Sequence, residues 1–334
     1  MIEGHGDDLY RYGDKVKYNF STNIISDMNH AGLFDCLTKA LHRINSYPEP
    51  SPFTLEREIA EHIGVSLETV VVTNGATDAM YRIAHHFSGS QSAIIAPTFR
   101  EYQDACRLHG HKITFFKNID SVTSGFDLVW ICNPNNPTGN VWDKEILLKF
   151  IRSFGGIVVL DQAYADYTER ELLTPVEAVK CGNVILLSSL TKRFAVPGLR
   201  IGYAVASGTL SDMMRGEGMP WSVNTLAIEA GSYLLMHADE YRIDAETLHE
   251  EALRIAAAFE EIGIECSHTD CNFILCRLPE GNASDLKEFL VDRYGILIRD
   301  AFNFEGLDSR YFRVAAQHRE ENDLLINGVR QWIL

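Results

Sequence analysis

The stretch V-I-L-L-S-S-L-T-K-R-F-A-V-P-G-L-R-I-G-Y-A-V-A, residues 184–206, sets two apolar runs on either side of a polar turn. The first run ends in hydroxyl-bearing residues and then Lys192, and Arg200 stands eight positions later, just ahead of the second run. Uninterrupted Val, Ile, Leu and Ala mark strands buried on both faces, since a strand with one wet face alternates apolar with polar. Lys192 is then expected just past the end of a buried strand. The stretch by itself does not say whether this lysine is a solvated charge or a reactive amine.

Comparable runs recur at 70–73, 93–96, 113–116, 128–132 and 157–161, with helical patterns between them. Together with 184–188 and 202–206 they predict an α/β fold whose larger part is a seven-stranded, mostly parallel sheet. After residue 206 the character changes. A long helical stretch is expected over 227–262, then strand-like runs at 273–276, 296–298 and 311–315, and a closing helix over 320–334. That mixture reads as a smaller α+β domain.

The chain has 334 residues, 46% hydrophobic and 23% charged, with a net charge of −16. This balance argues against nucleic acid or an anionic membrane as the main partner, since both demand a basic face. It leaves room for a small anionic ligand, because a few arginines focused in a pocket dominate locally. No segment reaches 18 apolar residues without a charge, so no membrane span is expected. The acidic start M-I-E-G-H-G-D-D lacks the apolar stretch of a signal peptide. Seven cysteines without a C-x-x-C pair suit reduced thiols. The expected setting is the cytoplasm.

In open α/β sheets ligands sit at the carboxyl ends of the strands, so the residues just past each strand carry the chemistry. N-G-A-T-D-A at 74–79 offers Gly75, Ala76 and Thr77, small residues at a helix start whose amides suit an anion. A-P-T-F-R-E-Y places Tyr102 near another helix start. In N-P-N-N-P-T-G, 133–139, two prolines fix the backbone and hold the Asn136 amide in one orientation. D-Q-A-Y puts Asp161 at the end of an apolar run and Tyr164 three positions on. Singly, each has a plain reading: a turn, a core aromatic, a helix cap, a solvated lysine. Jointly they converge on one sheet edge. A phosphate cradle, an aromatic face, a buried carboxylate, an amide, a phenol and a lysine describe the site of a planar, cationic-ring aldehyde carrying a phosphate, which is pyridoxal 5′-phosphate. A lysine forms a Schiff base with the aldehyde, and a carboxylate beside the pyridine nitrogen keeps the ring an electron sink.

The ordered series Y-P-E-P, N-G-A-T-D-A, N-P-N-N-P-T-G, D-Q-A-Y, S-S-L-T-K, G-L-R-I-G and F-R-V-A resembles the fold type I, aspartate-aminotransferase-like enzymes that use this cofactor. The resemblance implies that Lys192 is the Schiff-base lysine and Asp161 the partner of the pyridine nitrogen. It implies that Asn136 and Tyr164 bond the ring hydroxyl and that Tyr102 stacks on the ring. Gly75, Ala76 and Thr77 become the phosphate turn, joined by Ser189, Thr191 and Arg200. Tyr47, in Y-P-E-P, resembles the tyrosine that reaches the phosphate of the neighbouring subunit, which implies a homodimer with shared active sites. Arg313 matches the arginine that clamps the substrate α-carboxylate, a task suited to a planar fork. Arg299 has a counterpart in relatives that take phosphorylated amines or amino acids. The implied division is an N-terminal segment, 1–40, packing with the small domain; a large cofactor-binding domain, 41–235; and a small C-terminal domain, 236–334.

Within that family the chain is most similar to histidinol-phosphate aminotransferases and to the L-threonine-O-3-phosphate decarboxylases of cobalamin biosynthesis. G-H-G-D-D-L-Y-R-Y-G, F-S-T-N-I and P-W-S-V-N lean to the decarboxylases, and by this likeness His5 and Asn23 are substrate-contact candidates. The chain departs from them in reading N-I-I-S-D where relatives have N-x-N-P-L-G. The expected activity is transamination of an amino acid or amine, phosphorylated as histidinol phosphate is, with decarboxylation of threonine phosphate as the alternative. Two readings of other kinds compete. Cys266, Cys271 and Cys276 repeat every five residues, but zinc favours tighter pairs, so no metal site is expected and the thiols are read as core. A non-catalytic relative would have lost Lys192, Asp161 or Arg313, and all three are present.

Overall fold

A computed structural model of the protein describes residues 8–333. A short strand β1 (Tyr18–Asn19) comes first. Seven strands follow: β2 (Val70–Thr73), β3 (Gln91–Ile95), β4 (Lys112–Phe116), β5 (Leu128–Cys132), β6 (Ile157–Asp161), β7 (Val184–Ser189) and β8 (Gly202–Ala206). They form one sheet in the order β2-β8-β7-β6-β5-β3-β4. All neighbours are parallel except β8, which runs against both β7 and β2. The reason lies in the connection. Between β7 and β8 the chain makes only the one-turn helix Leu190–Arg193 and a 3₁₀ turn, too little for a crossover to a parallel neighbour.

Alternate residues of the central strands enter different cores, as the pleat dictates. Val129 and Ile131 pack with the helices Phe53–Ile63, Lys144–Ser153 and Thr225–Met236. Leu128 and Trp130 pack on the other face with Ala76–His86 and Glu101–Leu108. With both faces covered, no position in these strands is left for water. That is why the sequence runs apolar without alternation.

The C-terminal strands are β9 (Glu265–Cys266), β10 (Phe273–Arg277), β11 (Ile296–Leu297), β12 (Arg299–Asp300) and β13 (Tyr311–Ala315). Four of them form an antiparallel sheet in the order β12-β13-β10-β9, and β11 pairs in parallel with β1. Phe312 and Val314 bury one face of that sheet against the helices Ala245–Glu260, Ala283–Tyr294 and Arg319–Ile333, a core that also takes Phe20. The helical stretch expected over 227–262 is in fact two helices. Asp244 caps a new start by accepting from the Thr247 amide at 3.0 Å, after a 3₁₀ turn at Ala238–Tyr241. No helix among the described residues is long and apolar enough to cross a membrane.

Candidate active site

The carboxyl ends of β2, β5, β6 and β7 face the open side of the small sheet across a cleft of about 240 Å³. Ala76, Thr77, Asn136, Asp161, Tyr164, Ser189, Thr191, Lys192 and Arg200 line it from the large sheet, and Arg299 and Arg313 from the small one. One end is an anion cradle. The helix Ala76–His86 begins there behind Gly75, at φ 79°, a conformation that a side chain strains. A Cβ on Gly75 would also lie 2.6 Å from the Arg200 guanidinium, so only glycine allows that approach. The Ser189 and Thr191 hydroxyls join the cradle, 2.7 Å apart.

Asp161 ends β6 and is 3% exposed. Its oxygens accept from the Tyr102 hydroxyl at 2.6 Å and the Ala163 amide at 2.9 Å. Burial nonetheless pushes its carboxyl above the usual carboxylate range, with those two bonds and the charge of Lys192 opposing. Lys192 Nζ donates to the Thr22 carbonyl at 3.4 Å and lies 5.7 Å from the Tyr164 ring centre. Burial also raises the Tyr164 phenol, against the nearby charge of Arg313.

Arg299 and Arg313 are direct cross-strand partners on β12 and β13, both buried. Like charges placed opposite each other destabilise a sheet, so the pair has a purpose other than folding. Arg299 is paired with Asp300 at 2.9 Å and bonds Asn303 at 2.7 Å. Arg313 instead meets neutral acceptors, the Asn136 side-chain oxygen and the Ser21 carbonyl, and its Nε has no partner. Burial pushes its guanidinium down to about 10, which leaves it charged at neutral pH. A buried cation held by neutral groups is a place for an anion.

Not every expected residue reaches the cleft. The resemblance implies that Tyr102 stacks on the cofactor ring, but Tyr102 is 1% exposed and lies behind Asp161, stacked on Trp130 at 5.5 Å. Phe99 takes the place on the cleft wall. The helix starts at Glu101, so Tyr102 already turns into the core while Phe99 belongs to the loop at the strand end. Asn23 does not line the cleft; it is wholly buried at φ 57°, with its side chain beside the Tyr164 phenol. Tyr47 lies elsewhere, 83% exposed beside Trp221 at 5.2 Å. His5 lies outside the described residues. Sequence reasoning misses Arg100, which lines the cleft directly after Phe99. Its only signal is position, in the loop between a strand end and a helix start. Cys271 and Cys276 are core residues, whereas Cys266 is half-buried, and among the described residues no group of three His, Cys, Asp or Glu is placed to hold a metal.

A mostly parallel seven-stranded sheet with this cleft between it and a small antiparallel sheet is the architecture of fold type I pyridoxal-phosphate enzymes. The chain belongs to the class I and II aminotransferase family, whose model matches residues 15–328. The solved structure of L-threonine-O-3-phosphate decarboxylase from Porphyromonas gingivalis is similar at 34% identity and a TM-score of 0.92, covering 95% of this chain and 99% of that one. The threonine-phosphate decarboxylase of Salmonella typhimurium is 30% identical over 93% of this chain and 90% of its own. The histidinol-phosphate aminotransferase of Caldanaerobacter subterraneus is also 30% identical, over 88% of this chain and 86% of its own.

Enzymes of this family depend on pyridoxal phosphate, and the residues present fit that group. Gly75 lets the Arg200 guanidinium come up to the start of the helix Ala76–His86, where free amides and that cation suit a phosphate. Asp161 is a buried carboxyl short of positive charge, which a protonated pyridine nitrogen supplies.

Proposed function

We propose that this protein is a pyridoxal-phosphate enzyme that decarboxylates a phosphorylated amino acid, L-threonine O-3-phosphate or a close homologue. The observation that carries the substrate class is the buried pair Arg299 and Arg313, carried on the small sheet while the Gly75–Arg200 cradle belongs to the large one. One anion site serves the cofactor, and two further guanidiniums call for a substrate with two anionic groups. Sequence alone favours transamination. The likeness at 34% identity to a threonine-phosphate decarboxylase, over 95% of this chain, supports decarboxylation instead.

Bound pyridoxal phosphate supplies an electron sink for negative charge at the substrate Cα. The rest is the work of side chains. Asp161 would hold a proton at the ring nitrogen, Asn136 and Tyr164 would bond the ring oxygen, and Phe99 would cover a face. Ser189, Thr191, Arg200 and the amides of Ala76 and Thr77 hold the cofactor phosphate. Arg313 grips the α-carboxylate through both oxygens. By fixing the α-carboxylate, Arg313 would set which bond to Cα is poised to break, and so would select between loss of carbon dioxide and loss of a proton. In the first case Lys192 Nζ would return a proton to Cα where the carboxylate left.

Tyr47 and Trp221, with Ile44 beside them, form an exposed apolar surface that supports a homodimer in which Tyr47 serves the partner's site. The division at 40 and 235 is part of the same reading, and the pairing of β1 with β11 supports it.

The test is direct. Purified holoenzyme is incubated with O-phospho-L-threonine, and separately with histidinol phosphate plus 2-oxoglutarate. Carbon dioxide and a phosphorylated amine should appear in the first without any amino acceptor. Glutamate formed in the second, with no carbon dioxide from the first, would turn the assignment to the aminotransferases, which the 30% relative of that kind keeps as the competing reading.

A further inference from the structure

The cleft lining is cationic in a chain that is strongly acidic. Among its described residues it carries Arg100, Lys192, Arg200, Arg299 and Arg313 against a single acid, Asp161, while the whole chain has a net charge of −16. In the proposed function Arg200 answers the cofactor phosphate, Lys192 the aldehyde and Arg313 the α-carboxylate. Arg299 answers the second anionic group, and Arg100, which lines the same cleft, has no role yet. We propose that Arg100 recognises the substrate's second anionic group together with Arg299, and that it sets the preference for a dianionic phosphate over a neutral group there. This rests on the reading of the substrate as a phosphorylated amino acid.

The local geometry is that of an aimed side chain. Arg100 stands at the start of the helix Glu101–Leu108 with helical backbone angles, φ −65° and ψ −26°. Its Nε faces Asp104 at 3.2 Å, one helical turn on. The terminal nitrogens of its fork make no hydrogen bond to a described residue, and the side chain is 32% exposed. Asp104 therefore steadies one edge of the guanidinium while the opposite edge is available to a ligand. The charge of Arg100 also reaches Arg299. Burial pushes the Arg299 guanidinium down, Asp300 and Asp8 oppose that, and Arg100 adds to the depression. Two guanidiniums brought within range of each other repel, and a dianion between them reverses the sign of that interaction. A neutral hydroxyl or methyl group gives no such return.

The plainer account is that Arg100 only pairs with Asp104 on a helix surface, an arrangement worth little. Three variants of the holoenzyme separate the two: Arg100→Gln, Arg100→Lys and Asp104→Asn. Inorganic phosphate serves as the probe, because in holoenzyme the cofactor cradle is already filled. Its inhibition constant against O-phospho-L-threonine, and its dissociation constant by calorimetry, should rise about 10- to 100-fold in Arg100→Gln, as for one lost charge-assisted hydrogen bond. KM for O-phospho-L-threonine should rise alongside with kcat little changed, and KM for L-threonine should stay put. Arg100→Lys should recover most of the phosphate affinity, and Asp104→Asn, which loosens the guanidinium but keeps its charge, should cost at most about 5-fold.

Phosphate binding unchanged in Arg100→Gln overturns the proposal. So does an equal loss in Asp104→Asn, or an equal loss toward L-threonine. If the enzyme does not turn over O-phospho-L-threonine at all, the functional reading fails by itself. The calorimetric constant for phosphate still decides the role of Arg100.

Discussion

Asp161 is a carboxyl group whose surroundings work against its own charge, and that makes it a test of what the site is for. Burial raises its pKa above the ordinary 3.8, and a single cation, Lys192, opposes. Without cofactor, folding therefore costs the charged form more than the neutral one. The stability this gives is fully present below pH 3.8, the unfolded value, and is lost as pH climbs through the folded pKa. Asp161→Asn keeps one acceptor, for the Ala163 amide, and turns an NH2 toward the Tyr102 oxygen, without the charge. The apoprotein of that variant should melt about 2 °C higher than wild-type apoprotein at pH 7, and the gain should shrink toward pH 4. Its cofactor affinity, read by fluorescence titration, should fall about 10- to 100-fold. A variant apoprotein that melts lower at pH 7 would show that Asp161 supports the fold and not the cofactor. Asp161 is legible in the sequence because it ends an apolar run, and Lys192 because it stands just past one, behind a short hydroxyl-rich turn. Phe99 and Arg100 are not. A-P-T-F-R-E-Y holds two aromatics, and which one faces the cleft depends on the helix starting at Glu101, a boundary that composition does not mark.

At the scale of elements, the small sheet carries its cleft arginines on a supporting ionic chain. Lys287, on the helix Ala283–Tyr294, sits 3.0 Å from Asp8 and 3.3 Å from Asp300, which in turn holds Arg299 at 2.9 Å. All four are at least nine-tenths buried, so breaking the chain leaves charge without compensation. Lys287→Met should cost about 3 kcal/mol in chemical denaturation. It should also raise KM for a phosphorylated substrate, because Asp300 then draws on Arg299 alone. Adding Asp8→Asn should restore part of the stability, with a coupling of about 1 kcal/mol or more; strictly additive losses would dissolve the chain into unrelated contacts. None of this is readable in the sequence, since Asp8, Lys287 and Asp300 lie on three separate elements with no spacing to connect them. The strands themselves are readable, because burial on both faces writes itself into consecutive residues. The two helices that composition merges over 227–262 are not, because the break at Asp244 is set by a capping bond that competes with a favourable helical composition.

At the scale of the whole molecule, the large sheet brings one half of the cleft and the small sheet the other, joined where Arg313 bonds Asn136. Tyr47 stands outside this arrangement, 83% exposed, and the sequence resemblance assigns it to a neighbouring subunit's cofactor phosphate. If each site takes its lysine from one chain and its tyrosine from the other, the two functions can be lost on different chains and regained together. Lys192→Ala homodimers have no site with a reactive amine. Tyr47→Ala homodimers have weakened cofactor sites and should be nearly inactive at limiting pyridoxal phosphate. In a hybrid of the two, one site inherits both defects. The other pairs an intact Lys192 with an intact Tyr47. Random exchange of subunits makes about half of the dimers hybrid, each with one whole site, so activity should return to about a quarter of wild type. Exchange is checked by native mass spectrometry of differently tagged chains. Hybrid dimers present without regained activity would mean that Tyr47 does not cross to the partner's site, and that each cleft is complete within its own chain.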